Sequence, residues 1–306
     1  EKPKNFFLNK DNKHTESDCN LKFFRTTELL HHKLRINSLL RDINARWERN
    51  RIATIINDSS LSSDDVVFNF NYDYSFLRGL FPNNKIITVI NDDFWCRALL
   101  GYEKPLRDVL RETCENSDVV LAVSEPLIEQ LARFCDPKLL LPWSDASYSD
   151  AKAASQRTSL LFWGYINNRL NYGYLLRLAD ALHSEHPQFS IDFIGPVDES
   201  VDRRFYELIR RPNVTLSDPC DLTNLNFERT LAAFIPYVTQ SSTDAITLSN
   251  KALRLLANGL PLLITGMPNF LKASFVLRAG KTIAEDLELM LYTMMMLESL
   301  LDTKPL

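Results

Sequence analysis

The sequence predicts an α/β protein of two doubly wound parallel-sheet domains facing each other across a cleft. Three observations predict it. The chain has 306 residues, a length that suits about two domains. From residue 66 onward, short apolar runs alternate with amphipathic stretches of about 10–15 residues, the pattern of βαβ units. That alternation occurs as two series, separated at residues 139–157 by LLLPWSDASYSDAKAASQR, a mostly small, polar and loosely patterned stretch. We expect a first domain over residues 1–145 and a second over 146–306.

In the first series, residues 66–70 (VVFNF), 85–90 (KIITVI) and 118–123 (DVVLAV) read as strands. Their nearly continuous apolar character suits a parallel sheet covered on both faces. Between them, Leu106, Val109 and Leu110 set a helical face over residues 105–116, and Leu127, Ile128, Leu131 and Phe134 set another over 126–134. Ser124 is placed to cap that second helix, with Pro126 in its first turn.

The second series starts with SLLFW (159–163) and a helix over 170–183, then FSIDFI (189–194) and a short helix over 202–210. It continues with NVTL (213–216), a helix over 225–231, a strand over 232–235, a helix over 249–257, PLLI (261–264) and a terminal helix over 283–301. Residues 1–65 fit the scheme less well. Only NFFL (5–8) offers a first strand, and residues 21–51 look largely helical. That helical stretch holds eight Lys/Arg against three acids. It reads as a solvated face or, with Phe23, Phe24, Leu29 and Leu30, as a surface that rests on anionic lipid or grips an acidic acceptor.

Composition narrows the function. Lys+Arg 35 against Asp+Glu 39 leaves a net charge of -4, which disfavours extended nucleic-acid binding. No apolar run approaches the ~18 residues of a membrane span, and residues 1–10 lack the layout of a secretory signal. The five cysteines, Cys19, Cys96, Cys114, Cys135 and Cys220, are odd in number and widely spaced. They read as reduced thiols of a cytoplasmic protein. His31 and His32 are adjacent, and His183 and His186 lack a nearby Cys or carboxylate cluster, so no bound metal is expected.

Ligands of doubly wound sheets collect at the carboxyl ends of the strands. After SLLFW come Gly164, Tyr165 and, at the mouth of the next helix, Arg169; a glycine for close approach beside a cation suits a phosphate. Gly195 ends the next strand. Tyr237 follows the strand AAFI and could flank a base or sugar ring. Ser249, Asn250 and Lys251 open a later helix, where free N–H groups and a lysine would meet an anion. Neither GxGxxG nor GxxxxGK[ST] occurs, so dinucleotide and P-loop chemistry lose their usual support.

Four segments together resemble the GT-B glycosyltransferases, whose domains are Rossmann-like. They are DVVLAVSEPL (118–127), LLFWGYINNRLNYGYLLRLADALHSEHPQFSIDFIGPV (160–197), AFIPYVTQ (233–240) and SNKALRLLANGLPLLIT (249–265). The resemblance implies a nucleoside-diphosphate sugar, UDP favoured, bound in the second domain. It implies a glycan or glycolipid acceptor in the first and transfer in the cleft without metal or other cofactor. By position, Lys251 matches the family's phosphate-contacting lysine, and Arg169 the basic residue after the first donor-domain strand. Gly164, Tyr165, Gly195, Tyr237, Ser249 and Asn250 line the same edge. Retaining members carry two glutamates separated by seven residues, and here Ile246 and Arg254 stand at those places.

That departure points to an inverting reaction, which needs a base on the acceptor side. Asp92 and Asp93, after KIITVI, are the candidates, one as base and the other orienting the acceptor hydroxyl; Glu125 is an alternative. One of the pair could instead cap the next turn. Asp244 and Thr247 could contact the sugar in place of the missing glutamates. The competing expectation is a nucleotide-sugar-binding or interaction protein of the same fold that has lost catalysis.

Overall fold

The computed structural model describes residues 29–30, 37–57, 62–94, 103–144, 157–279 and 282–302. The chain divides into two compact units, residues 1–61 and 62–306.

In the first unit, helix α1 (Ser38–Asn57) opens at Asn37, whose side chain accepts the N–H groups of Leu39 at 3.0 Å and Leu40 at 3.4 Å. Its burial is inverted, with Asn44 and Glu48 buried while Leu39, Ile43 and Trp47 stand exposed on one stripe. The expected helix over 21–51 therefore appears from residue 38 and runs on to 57. Most of its earlier part, and the candidate strand at 5–8, lie outside the described residues.

The second unit holds two parallel sheets. The first is built from β1 (Val66–Asn69), β2 (Lys85–Ile90), β3 (Val119–Ala122) and β4 (Lys138–Leu139). Helices α2 (Leu77–Leu80), α3 (Glu103–Glu115) and α4 (Glu125–Leu131) connect them. The order is β1-β2-β3-β4. Helix α3 presents Leu106, Val109, Leu110, Thr113 and Cys114 inward at helical spacing. The core joins Ile90, Leu110, Val120, Leu127 and Leu131. As expected, Ser124 caps α4, accepting the Leu127 N–H at 3.4 Å, with Pro126 in the first turn. Asp118 ties the amino ends of the strands, accepting from the Ile86 N–H and from Arg78, both at 2.7 Å.

The second sheet contains β5 (Ser159–Trp163), β6 (Ser190–Ile194), β7 (Val214–Ser217), β8 (Thr230–Pro236), β9 (Leu262–Thr265) and β10 (Val276–Arg278). Around it lie α5 (Tyr172–Glu185), α6 (Arg203–Leu208), α7 (Ser241–Asp244), α8 (Asn250–Ala257) and α9 (Ile283–Asp302). The order is β10-β9-β8-β5-β6-β7, the doubly wound arrangement in which strand order reverses between β5 and β8. One face packs Leu160, Phe162, Phe193 and Phe234 against α5. The other packs Leu161, Ala233, Ile235 and Ile264 against α8. Together the two sheets form the two-domain Rossmann-like α/β fold the sequence predicts.

Two expectations need correction. Residues 225–231 are not a helix. A 3-10 turn covers Leu222–Asn224, and the Asn226 side chain then accepts the Glu228 N–H at 2.8 Å. Leu225 and Phe227 pack on the core, and Thr230 already belongs to β8, the fully buried central strand. Second, β1 is not covered on both faces: it is the sheet edge, and Val66, Phe68 and Phe70 are exposed. Strand β10, strand β4 and the short helices α2 and α7 were not anticipated.

Cys114, Cys135 and Cys220 are free thiols; Cys19 and Cys96 lie outside the described residues. Among the described residues no group of three or more His, Cys, Asp or Glu could hold a metal ion. No described helix is long and apolar enough to cross a membrane.

Candidate functional site

The carboxyl ends of strands from both sheets open onto one cleft. It encloses about 270 Å³ and is lined by Asn91, Asp92, Asp93 and Ser124 from the first sheet, with Arg169, Thr247, Ser249 and Asn250 from the second. The Glu125 N–H, in the first turn of α4, donates across it to Thr247 Oγ1 at 3.3 Å. Five of the sequence-derived site residues therefore meet here: Asp92 and Asp93 opposite Arg169 and the Ser249–Asn250 turn.

Gly164, Gly195, Tyr237 and Lys251 converge beside that cleft, where the strand order reverses. Gly164 has φ +132° and Gly195 φ +149°, a region L side chains avoid. A Cβ on Gly195 would fall 2.0 Å from the Gly164 carbonyl oxygen, so the ends of β5 and β6 pack backbone to backbone. Above Gly164 lies Lys251. Its Nζ donates to the Tyr237 hydroxyl at 3.1 Å and stands 4.2 Å from the centroid of the buried Phe162 ring. An aromatic face and one neutral hydroxyl orient this ammonium without cancelling its charge.

Arg169 is fixed by its backbone. Its carbonyl accepts the Val238 N–H at 2.8 Å, and its own N–H donates to Asn167 Oδ1 at 3.0 Å. The bridge between Leu170 and Tyr237 continues this stitch between the β5 and β8 ends. At α8, Ser249 Oγ accepts the Ala252 N–H at 3.1 Å. The first-turn amides of Asn250 and Lys251 have no acceptor within the helix, and the helix dipole adds positive potential there. In the last turn of α8, the Arg254 guanidinium lies 5.2 Å from the Trp163 ring centroid. Among the described residues no carboxylate lies within ion-pair distance of Arg169, Lys251 or Arg254.

On the opposite wall, Asp92 Oδ1 accepts the N–H of the adjacent Asp93 at 2.9 Å. Asp93 is buried and accepts from Gln130 Nε2 at 3.4 Å. Tyr165 is not brought to the cleft lining. It is exposed and bonds Asp198 in the loop after β6, which raises its phenol pKa. Glu125 contributes its backbone N–H. Thr247 reaches the cleft, and Asp244 keeps a buried Oδ1 that has no partner.

Sequence reasoning missed a second cavity of about 600 Å³ beside the first, lined by Phe68, Phe70, Leu140 and Trp143 with Asn250 and Arg254. Its one signal in the sequence is Arg254, at the place where the retaining enzymes that the sequence resembles carry glutamate.

No family model matches the chain, and no curated protein matches it. Solved structures do. TarM of S. aureus aligns at TM-score 0.55 and 11% identity, over 78% of this chain and 51% of its own. The pneumococcal O-GlcNAc transferase GtfA, in complex with UDP and GlcNAc, aligns at 0.52 and 14%, over 82% and 53%. The fold is GT-B. Anabaena HepE in complex with UDP aligns at 0.56 and 11%, over 81% of this chain and 74% of its own. The chain thus spans about half the length of TarM and GtfA. At these identities the likeness establishes the GT-B fold, with its two Rossmann-like sheets and the cleft between their strand ends.

Proposed function

We propose that this chain is a glycosyltransferase that moves a sugar from a nucleoside-diphosphate sugar, UDP favoured, to a hydroxyl of a saccharide or lipid-linked acceptor. The donor binds on the side of residues 146–306 and the acceptor on the side of residues 1–145. The observation that carries the reading is the pair of cations, Arg169 and Lys251, that have no carboxylate partner among the described residues and stand beside the open amino end of α8 in a chain of net charge -4. Such a site is preorganised for an anion and needs no rearrangement as negative charge develops. The UDP held by GtfA and HepE supports the choice of nucleotide.

In this reading Lys251, Arg169 and the α8 amides take up the charge of the departing diphosphate without a metal ion. Gly164 and Gly195 let the backbone approach it. Tyr237 flanks the nucleoside. Across the cleft, one of Asp93 and Asp92 accepts the acceptor hydroxyl proton while the other orients that hydroxyl. The oxygen attacks the anomeric carbon from the face opposite the diphosphate and inverts its configuration. A cytoplasmic location, with residues 21–51 resting on a membrane surface, fits a lipid-linked acceptor.

Calorimetric titration with UDP and GDP, followed by nucleotide release from a panel of sugar nucleotides with acceptor present, tests the proposal. Binding of UDP with turnover is the expected result. A second reading, a sugar-nucleotide-binding protein without catalysis, draws on Ile246 and Arg254 in place of the two glutamates; binding without turnover across the panel would favour it. Absence of binding to any nucleotide refutes both.

A further inference from the structure

The cavity beside the cleft combines features that suit one kind of ligand. Its wall on the first sheet is aromatic: Phe68 and Phe70 are 58% and 56% exposed, and Trp143 is 77% exposed. Flat apolar faces held open to water are what pyranose rings stack on, through their C–H faces. Its opposite wall carries Arg254, the one charged group among the described residues lining the cavity. In an acidic chain, a groove whose described lining holds a cation and no carboxylate is complementary to an anion.

The presentation of Arg254 sharpens this. The Trp163 indole beneath it is locked by its own Nε1–H donating to the Cys220 carbonyl at 3.0 Å. A guanidinium stacked on a fixed ring keeps its in-plane N–H groups available for a planar, two-point contact with a carboxylate or phosphate. The groove is also continuous with the cleft, since Asn91, Val123, Pro142 and Asn250 line both. A ligand in the groove therefore reaches toward Asp92 and Asp93.

From this we infer that the groove is the acceptor subsite and that it takes an acidic saccharide, a sugar bearing a carboxylate or a phosphate. The rings stack on Trp143, Phe68 and Phe70, and the charged substituent pairs with Arg254. The inference rests on the transferase reading for the word acceptor, while saccharide binding in the groove is measured without turnover.

The test uses the full chain and direct titration. One pair of probes is hyaluronan tetrasaccharide, which carries carboxylates, and its carboxyl-reduced neutral counterpart. A second pair is maltotetraose with and without a terminal phosphate, so that the two pairs separate carboxylate from phosphate recognition. At least one acidic probe should bind about tenfold or more tighter than its neutral counterpart, the usual scale for a charge-assisted pair. Arg254→Gln should abolish that preference. Trp143→Ala, at a largely exposed position, should weaken acidic and neutral probes alike. Unfolding midpoints of both variants confirm that they are folded, and UDP affinity, measured separately, reports on the donor site alone. Equal binding of acidic and neutral probes overturns the inference, as does failure of every probe to bind. So does an Arg254→Gln variant that loses UDP affinity and keeps its preference for the acidic probe. Failure of the transferase reading would show instead as absent UDP binding or turnover.

Discussion

Lys251 occupies the volume that a side chain at residue 164 would need. A Cβ built on Gly164 would stand 2.7 Å from Lys251 Cε and 2.8 Å from its Nζ. Glycine at 164 and lysine at 251 are therefore one device: the missing side chain is the seat of the ammonium. Gly164→Ala should unseat Lys251 and also strain a backbone held at φ +132°, by about 1–3 kcal/mol. The expected outcome is UDP affinity about tenfold weaker by calorimetry, with a modest fall in unfolding midpoint. A variant with unchanged affinity would break the link between the two residues.

Removing the charge separates Lys251 from its support. Lys251→Met keeps the apolar stem over Phe162 and should weaken UDP by about 10- to 100-fold, as loss of a charge-assisted contact does. The residual affinity should depend less steeply on salt. Tyr237→Phe deletes one neutral hydrogen bond and should cost no more than about fivefold. A larger effect from Tyr237→Phe than from Lys251→Met would reverse the proposed roles.

Asp92→Asn and Asp93→Asn test the base. The variant that lacks the proton acceptor should lose about 10²- to 10⁴-fold in kcat, with UDP affinity little changed because neither carboxylate belongs to the donor wall. If both variants retain full turnover, the base is elsewhere, and Glu125 is the next residue to replace.

The α8 cap has a stability signature. Ser249→Ala removes the acceptor for the Ala252 N–H and should lower stability by about 1 kcal/mol in denaturant unfolding. It should also weaken UDP, because the first turn of α8 frays. A stability loss with no change in affinity would show that the helix start holds no ligand.

Acid should act through Asp118. The Ile86 N–H, and after it the Arg78 guanidinium, hold this carboxyl below its ordinary pKa of 3.8. A depressed folded pKa means the stabilisation is fully present above the unfolded value and fades as pH falls through the lower folded one. Both side chains are partly exposed, so solvent screening keeps the ion-pair share below about 1 kcal/mol. Asp118→Asn should be less stable than the parent at pH 7, with the gap narrowing below about pH 4. A gap that persists unchanged at pH 2 would exclude ionisation as its cause.

The second sheet was largely legible because its strands are apolar runs ended by residues with one plain purpose, Gly164 after β5 and Gly195 after β6. The donor-side cations were legible because Arg169 and Lys251 stand at fixed offsets from those strands. The rest depended on tertiary neighbours. VVFNF has the composition of a covered strand, and only its place at the sheet edge exposes Phe68 and Phe70. Helical spacing over 225–231 yielded to an Asn226 turn and to the pull of central strand β8. Arg254 was visible as a departure from a pattern. Its meaning came from Trp163 beneath it and Trp143 across the groove, far away in the chain.

At the start of α8, part of the attraction for an anion comes from peptide groups, those of Asn250 and Lys251, rather than from side chains. Replacement libraries leave those dipoles in place, so a survey that truncates one residue after another will find leftover affinity at every position and understate how the pocket works. Only edits to the chain's course there, such as a proline substituted for Asn250 or a residue inserted ahead of Ser249, would silence that contribution. In the proposed reading, sequence drift could likewise erase every recognisable side chain around this turn and still leave the diphosphate held.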